Sequence, residues 1–431
     1  MRQFFLRLGT FLQLDKGIPT QLRENFHHYY WDIAWYGLLN GTTLSFLSYF
    51  AVREGATTTQ VGLITAIPAV VSLVFALPAG VMLGRYQTNR ATFVAGVLTR
   101  IFYPLFILLP FFKSSPLVIW AIIIITFFMT FPAIFSTVAF NTAFAENVPD
   151  EYRAHVAGIR NAAYAVVTIA TSLVSGWILT AIEFPHGYAV VFTLGFLGSA
   201  LSVYHLYRLK TPTEFIRYPR SEQISSEANK GWITTRIRDS LKVFKDRIRL
   251  DLIKGKTGLL ILLLTLLNFS LYVSGPVFPV YLVNRFHFSD QVISIGMACF
   301  YFSMFLGSLK LEAFEVKLGR QRVTGLGLLL MAVFPIFLIF MKDPLLYYVA
   351  NLVSGLGWAL QGGEIYNYLF ERLPMQDHGS GIAWFNMTSN AALLAGSLLG
   401  PLISNLFGFV ITMLIFAVMR LIVSLAILRW G

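Results

Sequence analysis

Long uninterrupted runs of apolar residues constrain this chain more than any other feature of its sequence. Residues 117–135 read LVIWAIIIITFFMTFPAIF, and residues 259–273 read LLILLLTLLNFSLYV. About 20 residues of this kind span the hydrocarbon core of a bilayer. Charged residues make up only 13% of the 431 positions, against about 25% in soluble domains. The sequence therefore predicts an all-α polytopic membrane protein.

Twelve candidate transmembrane spans can be counted, six on each side of a polar and basic segment. They lie near 30–51, 60–83, 91–112, 116–145, 157–181, 187–208, 257–282, 290–312, 322–341, 344–370, 380–405 and 408–429. This pattern predicts four regions, namely an N-terminal cytoplasmic or interfacial segment (1–29), a six-helix bundle (30–208), a cytoplasmic linker (209–256) and a second six-helix bundle (257–431). Apolar residues at helical spacing over 233–253 predict an amphipathic surface helix within the linker.

The two halves repeat part of their sequence. NTAFAENVPDEYR (141–153) ends the fourth span and YNYLFERLPMQDH (366–378) ends the tenth, so that Glu146 corresponds to Glu371 and Pro149 to Pro374. Both pairs are separated by the same 225 positions. The halves are thus predicted to be parallel structural repeats. Repeats of this kind bind substrate near the midplane of the bilayer and expose it alternately by rocking against each other.

The distribution of Lys and Arg predicts the orientation. If both termini are cytoplasmic, the short inner loops carry Arg85, Arg90, Arg153, Lys317, Arg320, Arg322 and Arg372. The outer loops then carry only Arg53, Lys113, Arg285 and Lys342. We therefore expect a bacterial-type inner membrane protein. The net charge of +12 is explained by topology and by attraction to anionic lipid, and nucleic-acid binding is not predicted.

Enzyme chemistry finds no support in the sequence. The chain has a single cysteine, Cys299, which offers neither a disulfide nor a metal cluster. A phosphate-binding glycine loop followed by Lys and Ser or Thr is absent from the sequence, so ATP-driven transport is not indicated. We expect a monomer without cofactor or metal.

Twelve spans in two sets of six, with a basic central loop, resemble the major facilitator superfamily of secondary transporters. The best local match is LPAGVMLGRYQTNR (77–90), where the family loop normally reads Gly-x-x-x-Asp-Arg-x-Gly-Arg-Arg. Gly80, Arg85 and Arg90 fit this motif, whereas Gly84 stands at the aspartate position. The second copy, GSLKLEAFEVKLGRQR (307–322), keeps Gly319, Arg320 and Arg322, with Glu315 near the acidic position. The resemblance implies two pseudo-symmetric six-helix bundles and transport by alternating access.

The resemblance also implies that spans one, four, seven and ten face a central cavity. Polar residues on these spans recur at steps of three and four and so share a helix face. The predicted substrate and coupling residues are Tyr36, Asn40, Asn141, Asn268, Tyr272, Trp358, Gln361, Glu364 and Tyr368, together with Arg100 and Asn386 on neighbouring spans. Polar groups are costly in lipid and should face water or each other. The alternative is that the Asn and Thr side chains only bond across helices.

Glu364 is the strongest candidate, because it lies deep within its span and follows two glycines. It could titrate a proton or anchor a cationic substrate group, with a cation such as Arg100 favouring its ionised form. Asp32 is more readily explained by the helix macrodipole, and Arg160 by snorkelling to the headgroups.

A cytoplasmic gate is predicted at the repeated sequence. Glu146 is expected to pair with Arg90, and Glu371 with Arg320 or Arg322. Capping and topology are the alternative explanation of these charges.

These patterns predict a secondary active transporter of a small organic solute, coupled to protons. Its partners would be the solute, the lipid bilayer and protons. Aromatic residues near the expected cavity favour a solute with an apolar or aromatic part. The alternative is a non-transporting membrane assembly or chaperone protein of the same fold that holds a lipid or pigment.

Overall fold

A computed structural model describes residues 18–431 apart from 84–85, 113–114, 211–254 and 375–376. Every regular element within these ranges is helical. The predicted N-terminal surface segment before residue 18 and the predicted linker helix at 233–253 lie outside the described residues.

The described residues form twelve membrane-crossing helices, α1 to α12, which correspond to the twelve predicted spans. Several are interrupted by a short π-helical, 3₁₀ or non-helical stretch. They are α1 (Thr20–Leu39, a π-helical turn at Asn40–Leu44, and Ser45–Arg53), α2 (Thr58–Leu83), α3 (Thr88–Arg100 and Tyr103–Leu108), α4 (Ser115–Asn147), α5 (Asp150–Ala181), α6 (His186–Tyr207), α7 (Gly255–Tyr272, Val277–Val280 and a π-helical turn at Tyr281–Arg285), α8 (Asp290–Leu309), α9 (Arg320–Phe340), α10 (Pro344–Glu371), and α11 with α12 (together His378–Trp430). A short helix, Leu311–Leu318, lies between α8 and α9.

By length and composition, nine helical segments of the described chain are apolar enough to cross a bilayer, and the last of these contains both α11 and α12. The two share one continuous run of residues that changes direction at Gly408, whose φ of +69° favours glycine. α1 and α10 are as long as the others but carry more polar side chains. The predicted fold class is confirmed.

The boundary predicted at residue 30 does not coincide with the start of a helix. α1 begins ten residues earlier, after Pro19, because Phe26 and Tyr29 on these turns are fully buried. They pack in an apolar cluster with Val148 and Val156 at the α4–α5 connection. Burial of these side chains joins residues 20–29 to the first bundle.

Arg420 of α12 satisfies backbone groups that two other helices leave without partners. It is only 3% exposed, and its Nη1 donates to the carbonyl of Met331 at 2.7 Å. Pro335, four residues later in α9, has no N–H for that carbonyl. Nε of Arg420 donates to the carbonyl of Ser270 at 3.3 Å, and Nη2 of Arg420 donates to the Ser274 hydroxyl. Ser270 lies in the last turn before α7 is interrupted, where carbonyls lose their helical partners.

The two halves meet at one end of the bundles. We call the end where α6 finishes and α7 begins the linker end, and the other the opposite end. At the opposite end, Nε of Arg53 (α1) donates to Oδ1 of Asp290 (α8) at 3.0 Å. The Tyr188 hydroxyl donates to the same oxygen at 3.0 Å, and Nη2 of Arg53 donates to the carbonyl of Phe288 at 2.9 Å. The Asp290 carboxylate of the second half thus accepts hydrogen bonds from two side chains of the first half, those of Arg53 and Tyr188.

Close packing between α2 and α11 seals the same end. A Cβ atom added at Gly62 would lie 2.4 Å from the carbonyl oxygen of Ser397, so only glycine allows this approach without a shift of the backbone. Nearby, the Thr58 hydroxyl donates to Oδ1 of Asn405 at 3.0 Å. A single apolar cluster, which includes Phe50 of the first half and Phe288 of the second, continues across the contact. The bundles are therefore joined at the opposite end.

We predict that Asp290→Asn opens the opposite end more often. Loss of the carboxylate removes the ion pair with Arg53, which would shift the ratio of open to closed forms by about tenfold if the pair contributes about 1.4 kcal/mol. Spin labels at the exposed positions Thr59 and His287, with Cys299 replaced by alanine, would report a larger fraction of molecules in which the two labels are far apart. Asp343→Asn, at the same end but within one half, is the control. An unchanged distance distribution in Asp290→Asn contradicts the prediction.

We also predict that Arg420→Ala lowers stability by about 3 kcal/mol or more, because hydrogen bonds to a charged group contribute about 1.5–3 kcal/mol each. The midpoint of thermal unfolding in detergent measures the effect. Arg429→Ala, an exposed arginine on the same helix, provides the comparison. Equal midpoints for the two variants would show that the Arg420 contacts contribute nothing.

Candidate functional site

A cavity of about 270 Å³ lies within the first half, between α1, α3, α4 and α5. Its wall carries three charged side chains, Asp32, Arg100 and Arg160, together with aromatic rings and aliphatic groups. Arg100 is the last residue of the first segment of α3, where the helix is interrupted before Tyr103. Arg100 and Tyr103, three positions apart, both line the cavity.

The three charged groups form one cluster through Ser202 of α6. Asp32 is only 5% exposed, and its Oδ1 accepts a hydrogen bond from the Ser202 hydroxyl at 2.7 Å. Its Oδ2 lies 3.8 Å from Nη2 of Arg160. Nη2 of Arg100 lies 3.4 Å from the Ser202 oxygen, and Nη1 lies 3.4 Å from the carbonyl of Gly96. The carboxylate of Asp32 thus lies between two guanidinium groups, near Arg160 directly and linked to Arg100 through Ser202.

Arg160 is also held by aromatic rings. Its Cζ atom lies 4.7 Å from the ring centre of Phe140, 5.2 Å from that of Phe144 and 5.8 Å from that of Tyr29. Such cation–π contacts stabilise a cation that has left water. The Nε atoms of Arg160 and Arg100 are buried and have no hydrogen-bond partner among the described residues.

Tyrosine side chains connect this cavity to the second half. Tyr36, on the cavity wall, stacks on Tyr164 of α5 with ring centres 6.3 Å apart. Tyr164 contacts Tyr301 of α8 edge to face at 6.2 Å. The amide of Asn40 donates to the Tyr301 hydroxyl at 2.9 Å. Asn40 begins the π-helical turn of α1, and π-helical turns of this kind are frequent at functional sites.

Two of the predicted substrate residues, Tyr36 and Arg100, thus lie on one cavity. The macrodipole explanation of Asp32 and the snorkelling explanation of Arg160 were wrong. Asp32 lies roughly three turns past the start of α1 at Thr20, and Arg160 roughly three turns past the start of α5 at Asp150. Macrodipole effects fade within the first turn. Both residues lie deep within a helix, which is a signal that the sequence contains. The predicted helices began too late, at 30 and 157, so both residues were placed near a helix start.

The polar residues of α10 share a helix face as predicted, but this face packs into the second half. Gln361 is buried against Gly327 of α9, and Tyr368 is fully buried in the apolar core, close to Gly431. Over positions 358–370 of α10, the exposed residues are Gly362, Gly363, Tyr366 and Asn367. Helical periodicity identifies a shared face, whereas tertiary packing decides where that face points.

The remaining predicted residues fall into two groups. Asn268 donates to the Ser389 hydroxyl at 3.0 Å across α7 and α11, which is the contact that the alternative of Asn bonding across helices predicts. Tyr272 packs against Gly396 of α11. Trp358 is half-buried and lies 6.3 Å from the Phe300 ring.

Asn141 and Asn386 are exposed in the linker-end half of their helices. The Tyr366 hydroxyl donates to Oδ1 of Asn386 at 3.4 Å. These two asparagines are therefore accessible from the side on which the bundles are not joined by the contacts described above.

Glu364 lies at the linker end, and its predicted partner Arg100 belongs to a separate cavity in the other half. The carboxylate is fully buried, with one oxygen 3.7 Å from Nε of Arg320. Arg320 also pairs with Glu315 of the short helix, and its Nη1 lies 3.7 Å from Glu371. The predicted pairing of Glu371 with Arg320 is thus present. Arg322 points outward and is exposed.

The corresponding pairing in the first half is not formed. Arg90 is exposed and makes no ion pair with Glu146 among the described residues. Its neighbour Asn89 faces α4 instead and accepts a hydrogen bond from Asn147 at 2.8 Å, which turns Arg90 away by about 100°. Arg153 caps the end of α4, donating to the carbonyls of Ala145 at 2.7 Å and Val148 at 3.1 Å.

Clusters suited to a metal are not found in the described part of the chain, where no three His, Cys, Asp or Glu side chains lie close enough together to hold an ion. The chemistry available at the cavity is that of charge recognition and proton exchange.

Two six-helix bundles joined at one end, with a charged cavity among the helices, form the architecture of a multi-pass membrane protein. A family model described as Major Facilitator Superfamily matches residues 33–273 and 259–431. The chain belongs to this superfamily, as its sequence motifs predict.

One relative and several solved structures resemble the chain. The cis,cis-muconate transport protein of Acinetobacter baylyi (strain ATCC 33305 / BD413 / ADP1) is 24% identical over 273 residues, which cover 62% of this chain and 62% of the relative. The inward-open xylose transporter XylE from E. coli superposes with a TM-score of 0.66 at 14% identity, covering 95% of each chain. A POT family transporter in complex with a thioalcohol-conjugated peptide gives a TM-score of 0.70 at 14% identity, covering 96% of this chain and 97% of that one. These likenesses to solved structures establish the fold.

We predict that Arg320→Gln destabilises the linker end, because three carboxylates would lose their shared cation and one of them is fully buried. Removing one partner of a buried ion pair costs about 3–5 kcal/mol, and partial exposure of Arg320 should reduce this to about 2 kcal/mol. Thermal unfolding in detergent measures the change, with the exposed Arg322→Gln as matched control. Arg320→Lys should restore part of the loss. If Arg320→Gln and Arg322→Gln unfold alike, the cluster is not a stabilising contact.

Proposed function

We propose that this protein is a secondary active transporter that moves a small organic solute by alternating access and couples this movement to protons. The observation that carries the proposal is the buried cluster of Asp32, Arg100 and Arg160 on a cavity deep inside the helices. Charged groups cost free energy in a membrane, and those inside transmembrane helices usually mark substrate or proton pathways. Contacts that join the halves at the opposite end give the bundles a closed end against which to rock.

The size of the cavity and the relative support a small organic solute. About 270 Å³ lies just below the range of about 300–1,000 Å³ that is typical for drug-sized ligands. The Acinetobacter baylyi relative is described as a transport protein for cis,cis-muconate. Aromatic and aliphatic groups on the wall would contact an apolar part of the solute.

Proton coupling requires a titratable group whose surroundings change as the bundles rock. Asp32 shares the cavity with two cations and contacts α6 through Ser202. Glu364 is buried beside Arg320, at the end where rocking would separate the bundles. We propose Asp32 as the coupling site at the cavity. Glu364, with Arg320 and Glu371, would belong to the gate at the linker end.

The linker end is proposed to be cytoplasmic, in a bacterial-type inner membrane. The excess of Lys and Arg in the loops at this end supports the assignment. The contacts at the opposite end would then close the outer side, and the exposed Asn141 and Asn386 would lie on the inner side.

Purified protein in liposomes tests the proposal. An inward proton gradient should accelerate accumulation of cis,cis-muconate, or of another solute from a panel of small organic compounds, and a protonophore should abolish the acceleration. Empty liposomes and protein-containing liposomes without a gradient are the controls. If no solute moves under any imposed gradient, the protein is better explained as a non-transporting membrane protein that holds a lipid or pigment.

Two carboxylate variants separate the roles of the buried acids. We expect Asp32→Asn to abolish accumulation driven by protons while counterflow of labelled solute persists, because the variant keeps its shape but cannot titrate. Glu364→Gln should slow both processes, because a gate is needed in either case. Glu183→Gln, an exposed acid at the opposite end, should behave as wild type. Proton-driven accumulation by Asp32→Asn at the wild-type rate would rule out Asp32 as the coupling site.

A further inference from the structure

We infer that the cavity in the first half binds a small organic anion through Arg100 and Arg160, and that the anion competes with Asp32 for Arg160. The inference rests on the proposed function where it treats this anion as the transported solute. The binding step itself concerns only the cavity and can be tested without transport.

Charge on the cavity wall favours an anion. Arginine remains protonated at any physiological pH, so Arg100 and Arg160 contribute two positive charges. Asp32 is the single acidic side chain that lines the cavity in the described part of the chain. At least one positive charge is therefore left without a counter-ion, in surroundings where water screens charge poorly. A cationic solute would be repelled by the same groups.

The hydrogen-bond donors of Arg100 and Arg160 are only weakly used within the protein. The two hydrogen bonds of Arg100, to Ser202 and to the carbonyl of Gly96, are both long at 3.4 Å. The buried Nε atoms of Arg100 and Arg160 have no hydrogen-bond partner in the described structure. A guanidinium group presents its donors as a planar fork that matches a carboxylate in two parallel hydrogen bonds. An incoming carboxylate would thus fill donors that the protein itself does not use.

The rest of the wall fits an apolar organic body. Tyr36, Tyr103 and Phe140 supply rings, and Met129 and Leu206 supply flexible or branched aliphatic groups. Such a wall gives a small inorganic anion little to contact. It therefore favours a compact organic acid with an aromatic or unsaturated portion.

Asp32 is placed to compete with the bound anion. Its Oδ2 lies 3.8 Å from Arg160, while its Oδ1 is held by Ser202 at 2.7 Å. If Asp32 takes a proton from water, the contact with Ser202 can persist and Arg160 becomes free for the solute carboxylate. Anion binding and protonation of Asp32 would then assist each other, and this linkage is reciprocal. One proton would enter with each anion.

Other groups around Asp32 must be considered as proton acceptors. Arg160 faces it from α5 and Arg100 from α3, and neither loses its proton. On α6, His205 lies one turn from Ser202 and is paired with His28 of α1 at 3.0 Å between Nδ1 atoms. Tyr29 and Tyr36 lie on α1 itself. The histidine pair is the alternative source of proton uptake, and a variant of it must be included in the test.

A matched series of probes tests the charge of the ligand. Benzoate, benzamide and benzamidine share one shape but are an anion, a neutral molecule and a cation, and adipate with adipamide extends the series to an aliphatic acid. The acids should raise the thermal unfolding midpoint of the purified protein and bind in calorimetry, while the amides and the cation should not. Stronger binding of benzamidine than of benzoate overturns the inference. So does failure of every carboxylate to bind at about 10 mM, tenfold above a millimolar Kd.

Arginine variants test the site. Arg100→Gln and Arg160→Gln should each weaken binding of the acids by about tenfold or more, since each loses a hydrogen bond with a charged group. Arg100→Lys should retain part of the affinity, which shows that the fold is intact. Arg208→Gln removes the same charge from an exposed position directly after the end of α6 and should bind as wild type. Wild-type affinity in both cavity variants excludes this cavity as the site.

Proton uptake tests the competition. Calorimetry in buffers of different ionisation enthalpy should show about one proton taken up per anion bound by the wild type near neutral pH. Asp32→Asn should bind the acid without proton uptake, whereas His205→Gln should keep it. Uptake that persists in Asp32→Asn overturns the role of Asp32. Anion binding without transport in liposomes would contradict the proposed function but not this inference. Transport of cations without transport of anions would contradict this inference but not the proposed function.

Discussion

Polar groups inside a hydrocarbon layer must find partners within the protein, and this constraint explains most of the structure described here. Backbone groups that are unsatisfied in lipid cost several kcal/mol each. Helices meet the requirement until a proline or a break frees a carbonyl, and then another group must supply the missing donor. Arg420 does so for α9 and α7 at once, with hydrogen bonds to the carbonyls of Met331 and Ser270. A buried cation is stable there because it donates to oxygen atoms that no helix can satisfy.

The same constraint produces two charged clusters, one with an excess of acidic groups and one with an excess of cations. At the linker end of the second half, Arg320 faces three carboxylates, those of Glu315, Glu364 and Glu371. In the cavity of the first half, two guanidinium groups flank one carboxylate, Arg160 directly and Arg100 through Ser202. Acid excess near a partly exposed surface can be screened by water, whereas the cation excess in the cavity is buried. The first cluster resembles a structural contact, and the second is better suited to bind a ligand.

Residues at equivalent positions of the two halves make different contacts. Glu371 pairs with Arg320, while the equivalent Glu146 has no such partner in Arg90, and Arg153 caps α4 instead. Contacts between the halves also join unlike groups, for example Arg53 with Asp290 and Asn40 with Tyr301. The Tyr36, Tyr164 and Tyr301 rings extend from the cavity to the second half. A change at the cavity can therefore reach the interface between the bundles through direct contacts.

The sequence by itself determined the membrane class, the twelve spans and the duplicated organisation. Apolar runs about 20 residues long have few alternatives once water is excluded, and the charges in loops are local signals. The contact between Glu371 and Arg320 that it predicted is present, and Tyr36 and Arg100 line a cavity, while the roles of these residues in gating and binding stay predictions. Tertiary structure alone decided which polar groups meet, because periodicity gives the relative angle of side chains on one helix and not the direction in which the helix faces. The polar face of α10 therefore turned out to be buried in its own half. Asp32 and Arg160, 128 positions apart in the sequence, became neighbours only when α1 packed against α5.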